Sequence, residues 1–349
     1  MNTARHITSP AALAFGLALQ TLLTAAHAQT PATTGPTLFG VVDNGVTRSE
    51  TGGGRAMAMA SGVIWGSRLG VRGQEDLGGG TRALYMLEMG LNTNDGSLGQ
   101  GGLAFGRQAF VGAEGADWGK LTVGRHYSVL HTSLATYTVS GLIWGDALNY
   151  FRDGTVLRIN NSLRYESPEV AGFKLKNLYA FGGQANSSVG NVFNPSLDYK
   201  AGDLQLGASY MRSNTSATNT STYMVLGGSY DFGVAKAAFA NYRQRDSLAG
   251  SATAGKDAWE LSAMVPIGAH SLWLSYGRSS GRAADTDASS VSARYGYALS
   301  KRTSLYAGYS QIHNGAKGSF TINSASNAGP VVAPGRGVSQ MTLGISHFF

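Results

Sequence analysis

The segment Gly337-Val338-Ser339-Gln340-Met341-Thr342-Leu343-Gly344-Ile345-Ser346-His347-Phe348-Phe349 ends the chain and decides its fold. In an extended strand successive side chains point to opposite faces, so Met341, Leu343, Ile345 and Phe349 share one side and Gln340, Thr342, Gly344 and Ser346 the other. One side is apolar and the other polar. A soluble sheet can use the same alternation, but a last strand that stops on an aromatic is also how outer-membrane barrels close, with the apolar side in lipid and the polar side on a lumen.

The N-terminus reads as an export leader. Arg5 supplies the positive region, Ala11 to Leu23 the apolar stretch, and Ala26-His27-Ala28 a small-x-small cleavage site. The stretch is too short and too interrupted, by Gln20 and Thr21, to be a spanning helix. We therefore divide the chain into a signal peptide, 1–28, and a barrel domain, 29–349. Arg5 is the only charged side chain in the leader, so the formal charge of +7 becomes +6 on its removal. Cysteine is absent, which excludes disulfides and thiolate zinc sites.

Composition fits the same picture. Glycine numbers 49 of 349 residues, about twice the usual share of about 7%. Charged residues are 13%, about half the usual share of about 25%. Such a chain is neither disordered nor helical in character. Moderate hydrophobicity without long apolar runs follows when strands give one face to lipid and the other to water.

Period-2 alternation recurs along the chain. Val291, Ala293, Tyr295, Tyr297 and Leu299 oppose Ser292, Arg294 and Gly296, and Leu204, Leu206, Ala208 and Tyr210 oppose Gln205, Gly207 and Ser209. Sixteen strands are expected, near 37–48, 62–76, 81–93, 104–114, 119–127, 158–168, 171–183, 195–201, 203–213, 221–232, 234–244, 257–265, 268–279, 289–299, 302–312 and 337–349. Short links such as Asp76-Leu77-Gly78-Gly79-Gly80 alternate with long polar ones such as 213–220 and 314–336. An even number of antiparallel strands with tight turns at one end and long loops at the other is the pattern of an all-β transmembrane barrel.

Thr37-Leu38-Phe39-Gly40-Val41-Val42-Asp43, the run from Gly66 to Gly80, Phe105-Gly106-Arg107-Gln108-Ala109-Phe110-Val111-Gly112, Leu121-Thr122-Val123-Gly124-Arg125 and the terminal Phe349 together resemble the general porins of Gram-negative bacteria, nearest the betaproteobacterial type. The resemblance covers the chain after the leader. It implies a 16-stranded antiparallel barrel, assembled as a homotrimer, whose third loop folds inward to narrow a path for small hydrophilic solutes. The terminal strand ending at Phe349 would be the handle for the barrel-assembly machinery.

Selectivity in such a channel comes from charges at a narrow, partly desolvated section. Alternation puts Arg68 on a face with Arg72 and Gln74, opposite Val63, Trp65, Leu69 and Val71, and puts Arg158 and Arg164 on the polar face of their strand. The resemblance adds Arg107 as a lumen position. These four form the expected basic wall of the constriction. Arg125 falls with Leu121 and Val123, hence outward, and the resemblance assigns that position to contacts between subunits; the second loop, near 92–102, would be the arm that reaches a neighbour. The inward loop, about 127–155, contains only two acids, Asp146 and Asp153, which are the expected acidic members of the constriction. Family loops often carry a more acidic tip; this one lacks Glu, and Gly141-Leu142-Ile143-Trp144 offers an apolar stretch to pack on the wall. With several lumen arginines against few loop acids, and an isoelectric point near 9.5, the channel is expected to show weak to moderate anion selectivity. Another use of the basic surplus is to bind the phosphates of lipopolysaccharide among the outer-membrane lipids.

Other chemistry finds little support. Gly277-Arg278-Ser279-Ser280-Gly281 matches the G-x-S-x-G form, yet it ends a strand with no helix to follow. His126, His131, His270, His313 and His347 lack metal-ligand spacing, and no phosphate or dinucleotide motif occurs, so no cofactor is expected. Nucleic acid is not an expected partner, because the aromatics lie on apolar strand faces rather than among basic residues. The competing readings are a substrate-specific channel, which needs a ladder of lumen aromatics where only Trp273 stands, and a barrel enzyme, which needs a Ser/His or Asp/His constellation at a rim.

Overall fold

A computed structural model describes residues 34–247, 255–326 and 328–349; the expected leader lies outside the described residues. The chain forms one antiparallel sheet closed on itself. Its staves are β1 (Thr34–Glu50), β2 in two segments (Arg55–Ser61 and Arg68–Gly78), β3 (Thr81–Asn92), β4 (Gln108–Gly115), β5 (Gly119–Tyr127), β6 (Arg158–Glu166), β7 (Phe173–Ala180) and β8 (Val192–Ala201). Then follow β9 (Leu204–Asn214), β10 (Thr220–Asp231), β11 (Lys236–Asp246), β12 (Gly255–Ile267), β13 (His270–Gly281), β14 (Ala288–Ala298), β15 (Thr303–Asn314) and β16 (Val338–Phe348). A two-residue strand, Ser97–Leu98, sits within the second loop and is not a stave. Each stave pairs with its chain neighbours, and β16 returns to β1 over Val41↔Phe348 to Glu50↔Ser339. Closure gives every strand two partners, which is what hydrocarbon demands of a sheet.

The faces are reversed relative to a soluble protein. On β16 Met341, Leu343 and Ile345 are 55, 65 and 45% exposed, while Gln340, Thr342 and Ser346 are 6, 5 and 1% exposed. Apolar side chains therefore point outward to lipid, and polar ones point in. The same outward band includes Leu206, Leu226, Phe239, Leu261, Leu274 and Val291.

One expected strand differs from the alternation. Residues 62–67 leave the ladder between the two segments of β2, so Val63 and Trp65 do not face lipid: Val63 is buried and Trp65 packs edge-on against Phe348 at 5.6 Å. The cause is Asp43. Its buried carboxylate accepts the backbone N–H groups of Val63 (2.7 Å), Ile64 (3.4 Å) and Trp65 (3.3 Å), and the Tyr306 hydroxyl (3.0 Å). Ser67 Oγ accepts the Asp43 N–H and donates to its carbonyl, each at 3.0 Å, which pins the point where β2 resumes at Arg68.

The apolar core lies inside the barrel. Residues 128–157, the third loop, form α1 (Val129–Thr136), α2 (Ala147–Phe151) and a 3-10 turn (Gly154–Val156). Ser128 caps α1 by accepting the His131 N–H at 3.0 Å. Leu130, Leu134, Tyr137, Trp144, Leu148 and Phe151 are all buried. The loop bonds to lumen side chains far apart around the wall: Tyr137 Oη donates to Asp198 on β8 (2.7 Å), and Trp144 Nε1 donates to Gln340 on β16 (2.7 Å). It therefore crosses the interior. The last loop folds in over it, with Phe320 edge-on to Phe151 at 5.0 Å and the Ala325 N–H on the Val63 carbonyl.

Candidate functional site

The four expected arginines gather around one aromatic, Tyr127, and two acids, Glu88 and Glu166. Arg107, just before β4, is buried; its Nε donates to Glu88 of β3 at 3.0 Å, and its Nη2 donates to the Tyr127 hydroxyl at 2.6 Å. Arg68, where β2 resumes, reaches the same Glu88 oxygen at 3.4 Å. Arg158, at the start of β6, donates to the Tyr127 hydroxyl at 2.9 Å, and its guanidinium lies 4.6 Å from the ring centre. Arg164, deeper on β6, donates to the Tyr127 carbonyl (3.1 Å) and pairs with Glu166 (2.9 Å). Guanidiniums this close repel one another, and a shared carboxylate together with the negative face of a tyrosine offsets part of that cost. The break in β2 makes room, since a β-carbon on Gly66 would stand 2.7 Å from Arg107 Nη1. A space of about 370 Å³ opens beside Arg68, Glu88, Arg107 and Tyr127.

Arg152, on the third loop, joins this cluster and was not anticipated. Its Nη2 donates to Asn149 (3.1 Å), while Nε and Nη1 are buried and carry no partner, as is the Nε of Arg158. Burial pushes Arg152 down to about 10, Tyr242 opposes that, and Arg158 adds to it. It stays charged at neutral pH. His131 stacks on Tyr127 at 5.1 Å; burial first, then Arg152, Arg158 and Arg107, hold it well below its ordinary range, so it is neutral. No periodicity flags residues in an irregular segment, so nothing in the sequence pointed Arg152 at the arginines.

Asp146 and Asp153 lie elsewhere. Among the described residues neither bonds to Arg68, Arg107, Arg158 or Arg164. Asp146 is buried between the loop and the wall, accepting the Ile143 N–H (2.8 Å) and the Ser140 hydroxyl. Burial raises its pKa, against the Ser140 hydrogen bond and Arg294. Arg294 of β14 donates to the Trp144 carbonyl (2.9 Å) and lies 4.4 Å over Trp273, while buried Glu260 of β12 accepts the Leu148 N–H (2.9 Å). Asp153 accepts the Thr155 N–H (2.9 Å) and the Tyr223 hydroxyl of β10 (3.1 Å). Both acids thus fasten the loop. Arg125 sits outside the lumen, its Nε on the Gly106 carbonyl at 2.9 Å and Nη1 on Asn160.

A closed barrel of sixteen two-sided staves, apolar outside and crossed inside by a loop beside clustered arginines, defines a membrane channel. The chain belongs to the Gram-negative porin family, whose model matches residues 12–317, and its place is the outer membrane. It is 27% identical to outer membrane porin protein 32 of Delftia acidovorans over 331 residues, which is 90% of this chain and 93% of that one. It is 31% identical to an outer membrane porin protein of Bordetella pertussis over 256 residues, covering 63% of this chain and 66% of the relative. Among solved structures, the anion-selective porin from Comamonas acidovorans superposes with a TM-score of 0.78 at 26% identity, over 90% of this chain and 99% of that one. OmpT of Vibrio cholerae superposes at 0.67 and 17% identity, a likeness of fold.

Proposed function

We propose that the chain is a general diffusion channel for small hydrophilic solutes that prefers anions. One observation carries this reading: around Tyr127 five guanidiniums, Arg68, Arg107, Arg152, Arg158 and Arg164, stand against three carboxylates, Glu88, Glu166 and the Asp153 next to Arg152. The positive surplus sits where the third loop narrows the lumen, so an anion lowers and a cation raises the local electrostatic energy. Asp146 holds the loop away from these arginines, and Asp153 offsets only Arg152, so the surplus stays positive. The likeness to an anion-selective porin supports the same sign. In this reading the site binds and passes ions and makes or breaks no bond. The working form is a homotrimer freed of residues 1–28, with Arg125 and the second loop at the subunit contact and the β16 strand engaging the assembly machinery. Reversal potentials across planar bilayers under a tenfold potassium chloride gradient test it. A potential of the sign set by chloride is expected, and one set by potassium overturns the preference.

A further inference from the structure

A second basic cluster lies on the outer surface, away from the lumen. Arg212 on β9, Arg243 and Arg245 on β11, and Arg278 on β13 occupy outward positions close to the long loops. The register brings them together: Arg212 pairs with Thr222, Thr222 with Arg245, Arg243 with Asp257, and Trp259 with Arg278. Five neighbouring staves at about 4.8 Å spacing span about 20 Å. Four guanidiniums stand over that width against one outward carboxylate, Asp257, which bridges Arg243 (2.7 Å) and Arg245 (2.5 Å). Among the described residues Arg212 and Arg278 carry no ion pair.

What lies beneath the arginines is apolar. Phe239, Leu261 and Tyr276 are each about half exposed on the outer face, and Trp259 packs between Phe239 (6.5 Å) and Tyr276 (5.6 Å). On the adjacent staves β7 and β8 the matching height is held by Tyr179, Phe181 and Phe193, with no basic residue. The belt is absent from β7 and β8; the outward Arg48 of β1 and Arg55 of β2, by contrast, are both paired with Glu50. A positive surplus over an oily surface suits an amphiphile with phosphates at its head and acyl chains below.

We propose that this belt is a binding site for a phosphate-bearing glycolipid of the outer leaflet, lipopolysaccharide in chemical class. Its phosphates sit on Arg212, Arg243, Arg245 and Arg278, and its acyl chains lie along Phe239, Leu261 and Tyr276. The inference rests on the outer-membrane channel reading, which makes the long-loop end the outer-leaflet end.

The test uses the full processed protein in detergent and in bilayers. Binding of purified lipopolysaccharide is measured by titration for the unaltered chain and for the quadruple variant R212Q/R243Q/R245Q/R278Q, with enzymatically dephosphorylated lipopolysaccharide and inorganic phosphate as further probes. The expected results are an affinity at least tenfold weaker for the variant, a comparable loss for the dephosphorylated lipid, and no competition by millimolar phosphate. Equal affinity of variant and parent overturns the site, and so does effective competition by free phosphate. Asp257→Asn keeps all four arginines and removes the carboxylate, so it should bind at least as tightly; a tenfold loss there overturns the proposal even if the quadruple variant fails to fold. Single-channel conductance of the unaltered protein is read separately: its absence would sink the channel reading, whereas failure of lipid binding with conductance intact sinks only the belt.

Discussion

Arg152 is a loop residue with two buried N–H-bearing nitrogens that no protein atom accepts from, next to a wall that is already positive. The charge beside the lumen acts through its field whether or not these donors are paired, so Arg152 should act on permeation more than on folding. A unit charge about 7 Å from an ion in water is worth about 0.6 kcal/mol, favourable for an anion and unfavourable for a cation, so it changes their permeability ratio by about sevenfold. Arg152→Asn should therefore lower the chloride to potassium permeability ratio about sevenfold while leaving the melting temperature nearly unchanged; bilayer reversal potentials and a thermal melt read the two quantities. Asp146 behaves in the opposite way. Burial raises its folded-state pKa, so the folded protein holds its proton more tightly than the unfolded chain does. Its stabilising contribution is complete below the ordinary carboxylate value and is lost as pH rises through the raised one. Asparagine can still accept the Ile143 N–H and donate to Ser140 without ionising. Asp146→Asn should thus melt higher than the parent at pH 8, and the difference should shrink at pH 4; a difference that grows on acidification would contradict the burial argument.

At the scale of elements, the strands were legible and the loop was not. Each of the sixteen expected segments overlaps one stave, because lipid on one side and water on the other impose strict alternation on any strand between them. The break at 62–67 escaped notice because Val63-Ile64-Trp65-Gly66-Ser67 reads locally as strand, and the carboxylate that takes its N–H groups lies twenty residues upstream at Asp43. Arg68, Arg158 and Arg164 were found by parity. Arg107, just outside β4, needed the family resemblance. Asp146, Arg152 and Asp153 lie where the backbone has no period, so their directions depend on how the loop docks. Part of that docking is written in glycines whose purpose alternation could not reveal. On the lumen face of β10 a β-carbon at Gly227 would stand 2.5 Å from Tyr137 Cβ, and on β15 one at Gly308 would collide with the Trp144 ring. These glycines are sockets for the loop. Filling one should cost about 1–3 kcal/mol of overpacking. Gly227→Val should therefore lift the first half of the loop, raising single-channel conductance and weakening anion preference together with a lower melting temperature. Unchanged conductance would show that Tyr137 does not set the aperture.

For the whole molecule, closure is the condition on which everything else stands. The β1–β16 seam runs over ten residue pairs and ends where the Gly40 N–H donates to the Phe349 carbonyl (3.0 Å) and the Phe349 N–H donates to the Gly40 carbonyl (3.2 Å). Phe349 covers Gly40 so closely that a β-carbon there would strike its ring. Two losses of different size can be separated at this seam. Deleting Phe349 alone removes two hydrogen bonds worth about 1 kcal/mol each and one aromatic contact, leaving the ladder intact. The truncated chain should still fold in detergent, with a lower melting temperature. Deleting 338–349 leaves β1 and β15 as open edges, and each unpaired backbone group in hydrocarbon costs several kcal/mol. No folded, membrane-inserted species should form. Circular dichroism of detergent-refolded samples, with the gel mobility of unheated protein, distinguishes the outcomes. A stable β-rich barrel from the longer truncation would mean that the seam is dispensable, and the case for a cylinder closed by its last strand would fail with it.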